Sequence, residues 1–123
     1  MATTELTVDN FDQVVTGNDM VVIDFWAPWC GPCRSFAPVF EAASAKHEGV
    51  VFAKVNTDEE QELANQFGIR SIPTLMVFRQ QVILYAEPGA VSGRDLDRVI
   101  EQAKALDMDE VRRRIEAQQV QQQ

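Results

Sequence analysis

The chain has 123 residues, 46% of them hydrophobic, enough for one domain to bury a core without covalent staples. Its formal charge of −8 excludes a general nucleic-acid binder, which needs clustered Lys and Arg against phosphate; the basic triplet Arg112-Arg113-Arg114 sits among Asp107, Asp109, Glu110 and Glu116 and reads as a solvated helix face. No run approaches membrane-spanning length, and Met1 to Glu5 has neither a basic start nor a secretory apolar stretch, so a soluble, untargeted, cytoplasmic protein with no membrane contact is expected.

Leu6 to Val8 reads as a short first strand, and Asp9 or Asn10 can cap a brief helix around Phe11 to Val15 before a Gly17-Asn18 turn. Met20 to Trp26 is apolar on both faces except for Asp24, the pattern of a central strand covered on both sides. Alternation puts Asp24 on one face with Val22 and Trp26, where a buried carboxylate is expensive unless paired and its pKa is expected to rise. A helix follows at the cysteines and runs to about Lys46, with Phe36, Phe40 and Ala43 spaced for one buried face. Pro38 removes the helical bond to the carbonyl of Arg34, so a kink is expected. His47, alone near the helix end, reads as a surface residue.

Val50 to Asn56 is the next strand, and Asp58 to Phe67 reads as a helix whose acidic first turn, Asp58-Glu59-Glu60, suits the helix dipole; Gly68 ends it. Thr74 to Phe78 and Val82 to Glu87 form a strand pair, although Arg79-Gln80-Gln81 is not the Asn-Gly turn that favours tight hairpins. Ser92-Gly93-Arg94-Asp95 resembles a capping box opening a helix with Leu96, Val99, Ile100 and Ala103 inward. A second box-like start, Asp107 to Glu110, opens a further helix with Val111 and Ile115 inward, and the Gln-rich end Gln118 to Gln123 is expected to fray. Phe11, Phe25, Phe52 and Phe78 are most simply core. Strands alternating with helices, and two strands adjacent near the end, indicate an α/β fold with a partly parallel sheet.

The only two cysteines stand three positions apart in Trp29-Cys30-Gly31-Pro32-Cys33, directly after the apolar strand. At the start of a helix they fall on one face and can bridge, so a redox dithiol leads. A structural staple across so short a loop would constrain the unfolded chain by only roughly 2 kcal/mol, against about 5 for a loop of a hundred residues. A zinc site would have Cys30 and Cys33 as half its ligands, with only His47 to add from the nitrogen and sulfur donors. Cys30 is the candidate nucleophile, because free backbone N–H groups and the dipole at a helix amino terminus favour a thiolate.

Val22-Ile23-Asp24-Phe25-Trp26-Ala27-Pro28-Trp29-Cys30-Gly31-Pro32-Cys33, then Lys54, Phe67-Gly68-Ile69-Arg70-Ser71-Ile72-Pro73-Thr74 and Pro88-Gly89-Ala90, closely resemble the thioredoxin family in order and spacing over about residues 3 to 106. The resemblance implies the thioredoxin fold, a central mixed sheet flanked by helices on both faces, in residues 1–106, with 107–123 as an extension carrying a short extra helix. It implies a monomeric protein-disulfide reductase with no bound cofactor or metal. Its partners would be disulfide-containing client proteins and thioredoxin reductase, which delivers electrons from NADPH.

Residue by residue, the resemblance makes Cys30 the attacking and Cys33 the resolving thiol of a redox-active disulfide, and Asp24 the base that takes the proton from Cys33. Lys54 would tune that acid, and Gly31 and Pro32 would set the disulfide's strain and solvation. A cis Ile72-Pro73 peptide beside Cys30 would offer Ile72 backbone groups to an extended substrate, within an apolar rim of Trp29, Gly89 and Ala90. Three features depart from the family pattern: Ser71 in place of a common glycine, Gln80-Gln81 in place of the usual turn residues, and the extension itself. Two other functions compete with the reductase: a thiol oxidase or isomerase, and a binding or chaperone module docking through the helix at Val111 to Ile115.

Overall fold

A computed structural model describes residues 3–122; Met1-Ala2 at the amino terminus and Gln123 in the Gln-rich end lie outside the described residues. The elements in chain order are β1 (Thr4–Glu5), α1 (Phe11–Thr16), β2 (Met20–Trp26), α2 (Gly31–Lys46) and β3 (Val50–Asn56). They continue with α3 (Gln61–Gln66), β4 (Thr74–Arg79), β5 (Val82–Pro88), α4 (Gly93–Ala105) and α5 (Met108–Gln122). The sheet has five strands in the order β1-β3-β2-β4-β5, with β1–β3 and β2–β3 parallel and β2–β4 and β4–β5 antiparallel. It is the mixed sheet expected, with β2 at its centre.

Alternation along β2 divides the core in two. Met20 and Val22 pack with Phe36 and Phe40 of α2 and Leu96 and Ile100 of α4. Val21, Ile23 and Phe25 pack on the other face with Val15 of α1, Leu63 of α3 and Met76 and Phe78 of β4. Helices therefore cover both faces, and Asp24, in phase with Met20 and Val22, points to the α2–α4 side.

The local differences from the sequence expectations have physical causes. The first strand is Thr4–Glu5 rather than Leu6 to Val8: the Leu6 N–H still donates to the Lys54 carbonyl at 2.9 Å, but Thr7 onward turns away. Asn10 precedes α1 without capping it through its side chain, because its Oδ1 accepts the Thr7 N–H at 2.7 Å instead. The acidic stretch Asp58-Glu59-Glu60 lies in a turn before α3, held by Asn56: its carbonyl accepts from Glu59 and Glu60, and its side chain accepts the Asp58 N–H. Gly68 (φ +64) follows α3 as expected, giving its N–H to the Asn65 carbonyl in a left-handed conformation that only glycine adopts freely. α2 runs unbroken through Pro38.

His47 is not a surface residue. It is buried, its Nε2 lies 2.8 Å from Asp97 Oδ1, Lys104 Nζ is 3.4 Å from Nδ1, and its ring stacks on Phe52. The pairing fastens the end of α2 to α4, and Asp97, accepting from His47, has its carboxyl held below the ordinary range. Ser92 caps α4 by accepting the Asp95 N–H at 3.1 Å, as its box predicts. Asp107 does the same for α5 through the N–H groups of Asp109 and Glu110. Helix α5 buries Met108, half-buries Val111 and Ile115, and continues through Gln118–Gln122, where fraying was expected; glutamine is a good helix former. The basic triplet is a solvated face, as expected: Arg113 and Arg114 pair with Glu110, and Arg112, also exposed, reaches across to Gln80.

Candidate active site

Where β2 ends, Ala27 turns the chain: its carbonyl accepts the Cys30 N–H at 3.2 Å, and Cys30 takes the cap position of α2 in an extended conformation. Its Sγ accepts the Cys33 N–H at 3.2 Å, one of the donors that a helix start leaves unpaired. Pro32, at the next position but one, has no N–H to leave unpaired. Cys30 and Cys33 form a disulfide, both sulfurs lying at the positive end of a 16-residue helix. Ala27 is buried with them, and Trp26 and Ile72 pack against the cluster.

The second wall comes from the loop before β4. The Ile72–Pro73 peptide is cis, as the resemblance implies, and the Ile72 carbonyl oxygen lies 3.8 Å from Cys30 Sγ. Pro73 accepts the Gly89 N–H at 2.7 Å, which brings the Gly89-Ala90 segment after β5 beside this loop. Gly89 makes that approach with φ +104, a region closed to most side chains. Trp29 stands out from the surface at 67% exposure, and its Nε1 donates to Asp58 Oδ1 at 3.2 Å. Half-buried Ile72 packs against the cysteine cluster, while Trp29, Gly89 and Ala90 are exposed.

Asp24 is fully buried and neither carboxylate oxygen has a hydrogen-bond partner. Desolvation pushes its pKa from 3.8 up to about 6, and the positive charge of Lys54 pulls part of the way back. Lys54 is the register partner of Asp24 across β2–β3 and lies half-buried, its ammonium 4.7 Å from the centre of the Trp26 ring. An ammonium held over an indole is not a free surface lysine. Close to neutral pH such an acid can exchange a proton, whereas a partnered carboxylate would stay ionised.

The fold brings Cys30, Cys33, Gly31, Pro32, Ile72 and Pro73 together and sets Gly89 against Pro73. Sequence reasoning missed two supports. Asp58 was assigned to a helix start, yet it orients Trp29; Arg34 donates through Nη1 to the Pro28 carbonyl at 2.9 Å, tying the loop before Cys30 to α2. Their spacing gives a weak signal, an acid just after a strand end and a base four residues beyond the first cysteine. Among the described residues, no group of three or more His, Cys, Asp and Glu is arranged to hold a metal.

The family model described as Thioredoxin matches residues 2–102. The chain is 55% identical over 120 residues to putative thioredoxin 2 of Streptomyces coelicolor, covering 98% of this chain and 90% of that one. It is 45% identical over 102 residues to thioredoxin 1 of Nostoc sp., covering 81% and 95%. Among solved structures, Plasmodium falciparum thioredoxin superimposes with a TM-score of 0.76 at 34% identity, over 81% of this chain and 98% of that one. Malassezia sympodialis thioredoxin does so with 0.74 at 38%, over 82% and 90%.

Proposed function

The chain belongs to the thioredoxin family of thiol–disulfide oxidoreductases, and from that premise we propose that it reduces protein disulfides, fed by NADPH through thioredoxin reductase. The observation that carries the roles is the asymmetry of the pair: Cys30 caps the helix and its sulfur accepts an N–H from Cys33, while Cys33 lies deeper, 2% exposed against 5%. In the reduced protein, that N–H and the helix dipole favour a thiolate on Cys30. The thiolate attacks one sulfur of a client disulfide, forming a mixed disulfide and expelling the other client sulfur as a thiolate, which takes a proton. Cys33 then gives its proton to Asp24 and attacks the Cys30 sulfur. That breaks the mixed disulfide, releases the second client thiol, and leaves Cys30–Cys33 oxidised and the client reduced by two electrons.

Asp24, with a pKa near 6, is mostly ionised at neutral pH and accepts that proton; Lys54 keeps it from rising further. An extended client strand pairs with the backbone of Ile72 and rests on Trp29, Gly89 and Ala90, with Gly31 and Pro32 setting how readily the disulfide is reduced. Residues 1–106 form the redox domain and 107–123 the appended segment. The protein acts as a cytoplasmic monomer without a bound cofactor; among the described residues no helix is long and apolar enough to cross a membrane.

Insulin reduction with NADPH and thioredoxin reductase, run beside a redox titration of the Cys30/Cys33 couple, tests this. Turnover with a couple as reducing as the cytosolic glutathione pool, below about −220 mV, is expected. A strongly oxidising couple would make the protein an oxidase or isomerase, and no turnover by a folded protein would leave a binding module.

A further inference from the structure

We propose that helix α5 is a clasp on the β4–β5 turn, and that two of the three departures of this chain from its family pattern, a turn without glycine and an added helix, depend on each other. Arg79 pairs with Val82, so the hairpin closes through Gln80 and Gln81 alone, with φ of +51 and +69. Positive φ at both central residues is the geometry that matches strand twist, and it is normally met by asparagine and glycine. Two glutamines there need outside support, because their side chains disfavour the left-handed region.

Gln80 receives that support at every polar group it has. Its N–H donates to the Asp19 carbonyl at 2.7 Å and its Nε2 to Asp19 Oδ1 at 3.2 Å. Its two acceptors go to Arg112 of α5: Nη1 donates to Gln80 Oε1 at 2.6 Å and Nη2 to the Gln80 carbonyl at 3.1 Å. The fork of one guanidinium thus grips backbone and side chain of the same strained residue, as a flexible ammonium would not. The neighbouring turn residue places α5 for this contact. Arg79 donates through Nη1 to the carbonyls of Ala103, Lys104 and Leu106 at 3.0, 3.0 and 2.9 Å, and through Nε to Asp19 at 3.3 Å. This fixes the end of α4 and its link to α5, after which the Asp107 cap and buried Met108 start α5 against the hairpin. The similarity to the Streptomyces coelicolor chain, covering 98% of this one, takes in most of the extension.

A mutant cycle in the full-length oxidised protein tests the clasp, crossing Arg112→Ala with the double change Q80N/Q81G. Thermal midpoints and amide hydrogen exchange across Gln80–Leu84 are the readouts. With the native turn, Arg112→Ala is expected to lower the midpoint by about 4 °C and to speed turn exchange by about tenfold; Arg112→Lys is expected to behave like it. With Q80N/Q81G, which forms the turn unaided, the same arginine change is expected to move the midpoint by less than half as much. Equal shifts in both backgrounds, or unchanged turn exchange in Arg112→Ala, would overturn the proposal. So would a loss of insulin turnover in Arg112→Ala with the turn intact, which would make α5 a docking helix.

Discussion

The two ends of the sheet treat polar groups in opposite ways. At the end where β2 finishes at Trp26 and β4 begins at Thr74, Asp24 is buried with no hydrogen-bond partner. At the other end, where β2 begins at Met20 and β4 finishes at Arg79, buried and strained groups are answered in full: His47 by Asp97 and Lys104, Gln80 by Asp19 and Arg112. Both Asp24 and His47 are buried and both line the layer under α2. Burial alone therefore does not set a group's proton affinity; at Asp24, burial without a hydrogen-bond partner moves it toward neutral pH, which is what the proposed base requires.

The contrast breaks most visibly at the sulfurs. Cys30→Ser is expected to abolish insulin reduction to background, and Cys33→Ser to accumulate a covalent client adduct seen by non-reducing electrophoresis; an adduct that persists only in Cys30→Ser would reverse the two roles.

Asp24 comes next. Its folded pKa lies above its unfolded value, so the native state binds the extra proton between about pH 4 and 6 and stability falls as pH rises through that window. Asp24→Asn removes the penalty: urea unfolding is expected to show a gain of about 3 kcal/mol at pH 7, shrinking toward nothing below pH 4. The same variant is expected to slow resolution of the mixed disulfide, and unchanged resolution from pH 6 to 9 would remove its role as base.

At the opposite end the sign inverts. Asp97 has a folded pKa below its ordinary 3.8, chiefly through the His47 hydrogen bond, so its contribution is present above that value and lost as pH falls through the lowered one. Asp97→Asn is expected to lower stability by about 1 kcal/mol at pH 7, because the pair is partly exposed, and to match the wild type in acid. The smallest effect belongs to a neutral cap: Ser92→Ala is expected to cost about 1 kcal/mol or less, with no pH dependence, measured in the same unfolding series.

Much of the fold was legible because its signals are local. β2, β3, α2 and α4 carry periodicities or caps that hold whatever surrounds them, and the cysteine spacing marks the redox pair; Ile72-Pro73 and Gly89 entered only through the family resemblance. The misplaced parts depend on contacts remote in sequence. Asn10 is the exception, since its side chain is taken by Thr7 only three positions away; Asp58 looks like a helix start until Trp29, 29 positions before it, reaches it. His47 looks exposed because the residue that buries it, Asp97, is fifty positions away.

By itself, the sequence determined the α/β class, the central strand and the redox pair, since hydrophobic period and a three-residue thiol spacing are properties of short segments. Only the tertiary structure decided which charged groups are left without partners. An isolated segment meets water at every polar atom; whether a buried group such as Asp24 is left without a protein hydrogen-bond partner, while Gln80 finds Asp19 and Arg112, is fixed by which distant strands and helices close over each of them.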